Sequence, residues 1–203
     1  MALGRYLADR KVSADVVVGL PRGGVVVAAE VARILNLPLD VLVVRKIGHP
    51  RFREFAVGAL AEDGVVVLDQ DMLSTNPAAH EPLDQIITEE TLRLRDYERR
   101  FHQGGKHELA GRRIVIVDDG WATGATAEAA VKSAQRSRAC WVGVAAPVAS
   151  SPAVERLLPL ADEVFVLCND PEFSSVGSYY DEFAQTTDAE VTMLLAVAGG
   201  GER

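Results

Sequence analysis

Apolar residues along this chain fall into short unbroken runs, and between the runs they recur at three- and four-residue intervals. Unbroken β-branched runs mark strands buried on both faces, and the wider spacing is that of helices laid over them. The run Asp15 to Leu20, closed by Pro21 and the pair Gly23 and Gly24, predicts a strand ending in a tight loop. Val25 to Leu37 then predicts a helix, with Ala28, Ala29, Val31, Ala32, Ile34 and Leu35 inward, Glu30 and Arg33 outward, and a stop at Asn36 and Pro38. Leu39 to Val44 and Val65 to Leu68 predict further strands. Arg45 to Gly64, which holds Gly48, Pro50, Gly58 and several bases, reads as a long loop with at most short pairing.

From Pro82 to His102 the chain is dense in Glu and Arg, with Ile86, Ile87, Leu94, Tyr97 and Phe101 near helical spacing. This predicts a surface helix with a solvated face, ended by Gly104 and Gly105. The rhythm then repeats: strand Arg113 to Val117, helix Thr126 to Ser137, strand Trp141 to Ala146, helix Pro152 to Leu158, strand Val164 to Leu167, and a closing helix Ala189 to Ala198. Strands alternating with helices predict an α/β fold with a parallel sheet covered on both faces. At 203 residues, 48% of them hydrophobic, the chain suffices for one sizeable core and is short for two, so a single domain over 1–203 is expected.

Charge adds a constraint on partners. Asp and Glu number 29 against 21 Lys and Arg, a net charge of −8, which disfavours nucleic acid as a partner while leaving room for a local basic loop on a small phosphorylated ligand. Met1 to Arg10 carries Arg5, Asp9 and Arg10 where a signal peptide would be apolar, and no apolar stretch approaches the ~20 residues of a membrane span. A cytoplasmic protein is the expectation. Cys140 and Cys168 each sit in an apolar run that reads as strand, so both are expected to be reduced core thiols.

Ligands of open α/β sheets bind at the carboxyl ends of the strands, so the loops there carry the candidate chemistry. The richest is Ile114 to Thr126: an apolar strand delivers Asp118 and Asp119 at its tip, and a small-residue turn with Thr123 and Thr126 opens into a helix. Such a turn can aim backbone N–H groups at a phosphate, aided by the helix end and the hydroxyls, while the carboxylates accept hydrogen bonds from sugar hydroxyls or attract hydrated Mg2+. The unit suits a ribose 5-phosphate. Gly19 to Gly24 has glycines spaced as in a nucleotide P-loop, but Val25 and Val26 stand where Lys and Ser or Thr are needed, leaving Arg22 and the glycines as an anion grip. Arg45, Lys46, His49, Arg51 and Arg53 form a basic cluster suited to a multiply charged leaving group. Asn169 to Phe183 places Phe173, Tyr179 and Tyr180 in a polar segment where they either stack on a planar acceptor or pack on the core. No G-x-S-x-G elbow, H-E-x-x-H or C-x-x-C motif is present, so thiol or imidazole metal clusters are not expected.

The Ile114 to Thr126 constellation resembles the signature of the type I phosphoribosyltransferase family, which binds phosphoribosyl pyrophosphate (PRPP). The resemblance implies a three-layer α/β/α fold with a mainly parallel central sheet and a small C-terminal hood at about 169–183, with a flexible loop at about 45–64. It makes Asp118 and Asp119 the ribose ligands, with Ala122, Thr123, Gly124, Ala125 and Thr126 around the 5-phosphate. Pro21, Arg22, Gly23, Gly24, Arg45 and Lys46 would grip pyrophosphate, with Arg51 and Arg53 in a lid. Phe173, Val176, Tyr179 and Tyr180 would form the acceptor hood. Asp118, Asp119, Arg22 and Lys46 are the implied catalytic set. Mg2+ is the implied cofactor, held through ligand and water near Asp118 and Asp119 and with no direct protein ligand assigned. The partners are then PRPP and a nitrogenous acceptor, with a homodimer left open.

Two departures matter. Gly120 and Trp121 stand where the family generally has aliphatic residues, and Ala122 stands where relatives acting on 6-oxopurines have an acid, which points away from that acceptor class. The implied reaction moves the phosphoribosyl group of PRPP to a nitrogen nucleophile and releases pyrophosphate. A non-catalytic PRPP sensor is the rival, and a Mg2+-dependent phosphatase or hydrolase ranks last for want of a separate nucleophile pattern.

Overall fold

The computed structural model describes residues 2–50, 56–69, 80–105 and 108–199. In chain order its elements are α1 (Ala2–Asp9), β1 (Val16–Gly19), α2 (Gly23–Leu35), β2 (Leu39–Val41), β3 (Val44–Gly48), β4 (Ala56–Ala61), β5 (Val66–Leu68), α3 (His80–Phe101), β6 (Arg113–Val117), α4 (Ala125–Arg136), β7 (Trp141–Ser150), α5 (Ser151–Leu157), β8 (Glu163–Asp170), a 3-10 turn (Val176–Tyr179) and α6 (Asp188–Gly199).

Five strands make one parallel sheet in the order β2-β1-β6-β7-β8. Its faces are buried differently by alternate residues. Val16, Val18, Ile114, Ile116, Val142 and Val144 meet one cluster with Ala127, Ala130, Val131 and Ala134 of α4, while Val17, Val115 and Val117 meet the other with Leu3 and Leu7 of α1 and Val25, Ala28 and Val31 of α2. This is the three-layer arrangement expected of the alternating pattern. Helix α2 ends as anticipated, at Asn36 in the left-handed conformation (φ 54°), whose N–H donates to Ala32 O.

The described residues of Arg45 to Gly64 are not a loop with short pairing. Strands β3, β4 and β5 form a separate antiparallel sheet, with Val44 opposite Ala61 and Gly58 opposite Leu68. Strand β4 reads Ala-Val-Gly-Ala-Leu-Ala, with Val57 its single β-branched residue, because small side chains are what its sandwiched position admits at Ala59, Ala61 and Gly58. Ala59 and Ala61 join the α4 side of the core, Val57 and Leu60 the other, and a Cβ on Gly58 would lie 2.3 Å from Val67 O. Close packing overrides strand propensity here. The run Leu39 to Val44 is likewise split, its first part going to the parallel sheet and Val44 onward to the antiparallel one.

Three further expectations are corrected. Cys140 and Cys168 are both exposed: the first precedes β7, and the second lies on edge strand β8, where the apolar run reaches the sheet border. Helix α3 is more than a solvated surface helix, since it buries Leu83, Ile86, Leu94, Phe101 and the carboxylate-bearing Glu90. The N-terminal α1, unassigned by the apolar pattern, buries Leu3 and Leu7 one turn apart.

No helix among the described residues is long and apolar enough to cross a membrane.

Candidate functional site

Strand order reverses between β1 and β6, β1 leading outward to β2 and β6 leading to β7, so a crevice opens at the carboxyl ends of this pair. The register sets Gly19 opposite Val117, and the amide of Leu20 donates to Val117 O at 3.0 Å. The loop after β1 and the acidic tip of β6 therefore leave the sheet side by side.

Their contact is tight. A Cβ on Gly23 would lie 1.9 Å from Asp119 Oδ2, and one on Gly24 would lie 2.8 Å from Asp118 Oδ1 and 2.9 Å from Val117 O. Only residues without a side chain let the start of α2 approach the carboxylates this closely. The peptide between Pro21 and Arg22 is cis.

The carboxylates sit in an unfavourable setting for two negative charges. Burial first, and then the neighbouring Asp119 charge, hold the Asp118 carboxyl well above the usual carboxylate range. Burial also raises Asp119, although its hydrogen bonding with Asp118 and the Lys46 ammonium oppose that rise. The amide of Asp119 donates to Asp118 Oδ1 at 2.9 Å. Among the described residues no group of three or more His, Cys, Asp or Glu side chains comes together to cage a metal. Two carboxylates short of positive charge fit a hydrated Mg2+ held through water and ligand oxygens, since that ion keeps much of its hydration shell.

The turn after the carboxylates is held from behind. Ser150 Oγ donates to Ala122 O at 2.6 Å, and Arg156 Nη1 donates to Thr123 O at 2.8 Å while Nη2 reaches Asp69 at 2.8 Å. A trans peptide sets its N–H antiparallel to its C=O, so anchoring these carbonyls turns the amides of Thr123 and Gly124 to the opposite side. Gly124 has φ 75°, Glu128 N donates to Gly124 O at 2.8 Å, and Thr123 Oγ1 accepts from Ala125 N at 3.4 Å, which starts α4. Ala122 and Thr123 are exposed, so the turn presents amides and a helix N-terminus to an open side.

A cleft of ≈ 490 Å³ gathers Arg22, Gly23, Lys46 and Asp119 with Val26 and Val27 of α2 and with Tyr180 and 182–186. Tyr180 Oη donates to Asp119 O at 2.6 Å, tying the C-terminal segment over the acidic tip, and its hydroxyl is held well above the usual phenol range by burial and then by the two carboxylates. Phe173 stacks on Tyr179 instead (centroids 5.7 Å), and Tyr179 donates to Asp170 Oδ2 at 2.5 Å, so this pair builds the hood rather than lining the cleft. Val176 fills the space at Gly120: a Cβ there would lie 2.7 Å from Val176 Cγ1 and 2.9 Å from Val148 Cγ1. Trp121 is buried in the core and bridges to Ala149.

Arg45 and Lys46 have different partners, although both border a smaller hollow beside Glu90 and Arg93. Adjacent strand residues point to opposite faces, and Arg45 meets Glu90 through Nε at 2.8 Å and Nη2 at 2.7 Å, while Lys46 lines the cleft. Arg22 is engaged by Asp188 Oδ1 at 3.5 Å. His49 is partly exposed on the chain beyond β3, and Arg51 and Arg53 lie outside the described residues. Sequence reading missed Ser150, Arg156, Asp188, Val26, Val27 and 184–186, while Glu182 and Phe183 fall inside the expected hood. Only the N-cap pattern of Ser150 before Pro152 carried a local signal, because the amide of Ala153 donates to its hydroxyl at 3.2 Å.

The crevice of the parallel sheet thus couples an acidic strand tip, an anchored amide turn and a cation-bearing glycine loop. The phosphoribosyl transferase domain model matches residues 2–182, and the chain belongs to that family. It is 45% identical over 197 residues to a Mycobacterium tuberculosis (strain H37Rv) protein named "Putative phosphoribosyl transferase", covering 95% of this chain and 44% of that one. The chain thus spans less than half the length of this curated relative. The Thermus thermophilus protein TT1426 has a solved structure with TM-score 0.77 and 43% identity, covering 96% of this chain and 92% of that one. A Neisseria gonorrhoeae hypothetical protein, solved with bound ppGpp, shares the fold at TM-score 0.52 and 15% identity, over 97% and 88%.

Proposed function

We propose that this chain transfers the phosphoribosyl group of PRPP to a nitrogenous acceptor and releases pyrophosphate, with Mg2+ as cofactor. The observation that carries the reading is the wedge of Gly23 and Gly24 against Asp119 and Asp118, which sets an anion grip and a sugar-hydroxyl acceptor in contact at one cleft. The anchored amides of Thr123 and Gly124, beside the N-terminus of α4, receive the 5-phosphate, and Asp118 and Asp119 accept hydrogen bonds from the ribose hydroxyls.

Breaking the anomeric bond builds positive charge on the ribose ring and negative charge on the departing pyrophosphate. The carboxylates favour the first, and Arg22 and Lys46 favour the second, so positioning and electrostatics supply most of the rate. Mg2+, bound through water and ligand oxygens beside Asp118 and Asp119, supplies further neutralisation of the pyrophosphate charge. Val26, Tyr180 and Phe183 give the acceptor apolar surface, and an acceptor seated on them excludes water from the reacting carbon. Ala122 brings no carboxylate to the acceptor, in keeping with one other than a 6-oxopurine.

The test is incubation with Mg2+ and PRPP against a panel of purine, pyrimidine and non-nucleobase amines, scoring pyrophosphate and new nucleotide. Acceptor-dependent pyrophosphate release that is lost in Asp118→Asn with Asp119→Asn supports the reading. PRPP binding without turnover on a broad panel would turn it into a PRPP sensor, and absence of PRPP binding would end it.

A further inference from the structure

On the far side of Arg22 from the cleft, two hollows meet at Arg45 and Tyr97. One, ≈ 330 Å³, is lined by Arg45, Arg93, Asp96, Tyr97 and Arg100, and the other, ≈ 100 Å³, runs back along Pro21, Arg22, Val43 and Val44. Together they form a trough between the glycine loop and α3.

Its charge is unbalanced. Arg45 and Arg93 share the single carboxylate of Glu90, with Arg45 Nη2 at 2.7 Å from Oε2 and Arg93 Nη1 at 2.6 Å from Oε1. Arg22 and Arg100 share Asp188, at 3.5 Å from Oδ1 and 2.6 Å from Oδ2. Four guanidiniums thus divide two carboxylates whose oxygens are all engaged. Asp96, the remaining acid on the rim, is paired with Arg99. The Tyr97 ring takes up part of the surplus, with Arg45 at 5.2 Å and Arg100 at 5.8 Å from its centroid, and Phe101 stacks against it at 5.3 Å. Each guanidinium has five N–H donors and no acceptor, so several donors of Arg45, Arg93 and Arg100 remain for something in the trough.

Fork-shaped donors converging on one hollow match the oxygens of a phosphate better than those of a halide. We propose that this trough is a second anion site, distinct from the cleft, which takes the phosphate or diphosphate group of a small molecule on Arg45, Arg93 and Arg100. The inference does not rest on the transferase reading. Its place behind Arg22 gives an occupant a route to the cleft, because an anion there competes with Asp188 for Arg100 and so alters the hold of Asp188 on Arg22. Free pyrophosphate and a nucleoside diphosphate both carry the required group.

The experiment is a titration of 15N-labelled protein in Mg2+-free buffer with inorganic pyrophosphate and, in parallel, with ADP, following guanidinium Nε–Hε and backbone amide signals. Arg45, Arg93 and Arg100 should move together along one saturating curve, and the probe that saturates first names the source. The same curve should persist in Asp118→Asn with Asp119→Asn. Arg93→Ala with Arg100→Ala should weaken it ~tenfold or more, with the Thr123 to Thr126 amides responding as in the wild type. Arg93→Lys with Arg100→Lys, which keeps the charges and loses the forks, should fall between. Guanidinium signals that move no further than in sodium chloride of equal ionic strength, or a response confined to Thr123 to Thr126, would overturn the proposal and leave the transferase reading standing. A full trough response in a protein that fails to bind PRPP would do the reverse.

Discussion

Tyr180 Oη donates to the backbone carbonyl of Asp119 at 2.6 Å, across 61 positions of sequence, so the C-terminal segment is latched onto the same strand tip that carries the acidic pair. The hood is therefore tied to the acidic end of the cleft. Tyr180→Phe keeps the ring against Phe183 and deletes the donor, leaving a carbonyl to find water. The expected cost is about 1 kcal/mol of stability, with a larger rise in the acceptor KM than fall in kcat. Equal KM values for both forms in steady-state kinetics would show that the latch does not shape the acceptor site.

Gly23 is where space is scarcest. A methyl at this position would overlap Asp119 Oδ2, so Gly23→Ala must push the carboxylate or the start of α2 aside. Overpacking of this kind costs about 1–3 kcal/mol, and PRPP binding should fall with it. Gly104→Ala is the matched control, since nothing lies within 4 Å of a Cβ there. Thermal melts and PRPP titrations of the two variants should separate clearly.

Gly120 offers a compensation test. An aliphatic side chain here would collide with Val176 and Val148, so Gly120→Val alone should destabilise by about 1–3 kcal/mol. Adding Val176→Ala empties the space the new side chain needs and should recover part of that loss. A double-mutant cycle in denaturant reads the coupling, and strictly additive effects would show that the two sites do not share the volume.

The acidic pair predicts a pH dependence with a definite sign. Burial raises the folded Asp118 carboxyl above its ordinary value of 3.8, so between the two values the folded protein holds more protons than the unfolded chain. That contribution is fully present below the unfolded value and is lost as pH rises through the raised folded one. Without ligand, wild-type melting temperature should therefore fall relative to Asp118→Asn as pH rises from about 4 to neutrality. Parallel melting curves for the two proteins over that range would contradict the assignment.

The central strands of the parallel sheet are legible in sequence because they are covered on both faces, which demands an unbroken apolar run; Arg113–Val117 matches residue for residue. The antiparallel sheet is illegible for the opposite reason. Strand β4 packs between a helix face and a partner strand with Ala and Gly at four of its six positions, and these residues carry no strand signal of their own. Cys168 misled because an apolar run on the edge strand looks the same as one in the centre. The acidic pair, the Thr123 to Thr126 turn and the glycine loop are each local motifs, and each could be read from its own neighbours. How they are used was not.

By itself, then, the sequence determined the class of the sheet, the family and the local chemistry of each loop, since all three are written in residues close together along the chain. Only the tertiary structure decided that Gly23 abuts Asp119, that Arg156 and Ser150 turn the amides of Thr123 and Gly124 outward, and that Arg45 belongs with Glu90 while its neighbour Lys46 faces the cleft. These relations join residues brought together by β1–β6 register, helix packing and strand alternation. No window of sequence contains both partners and the geometry that unites them.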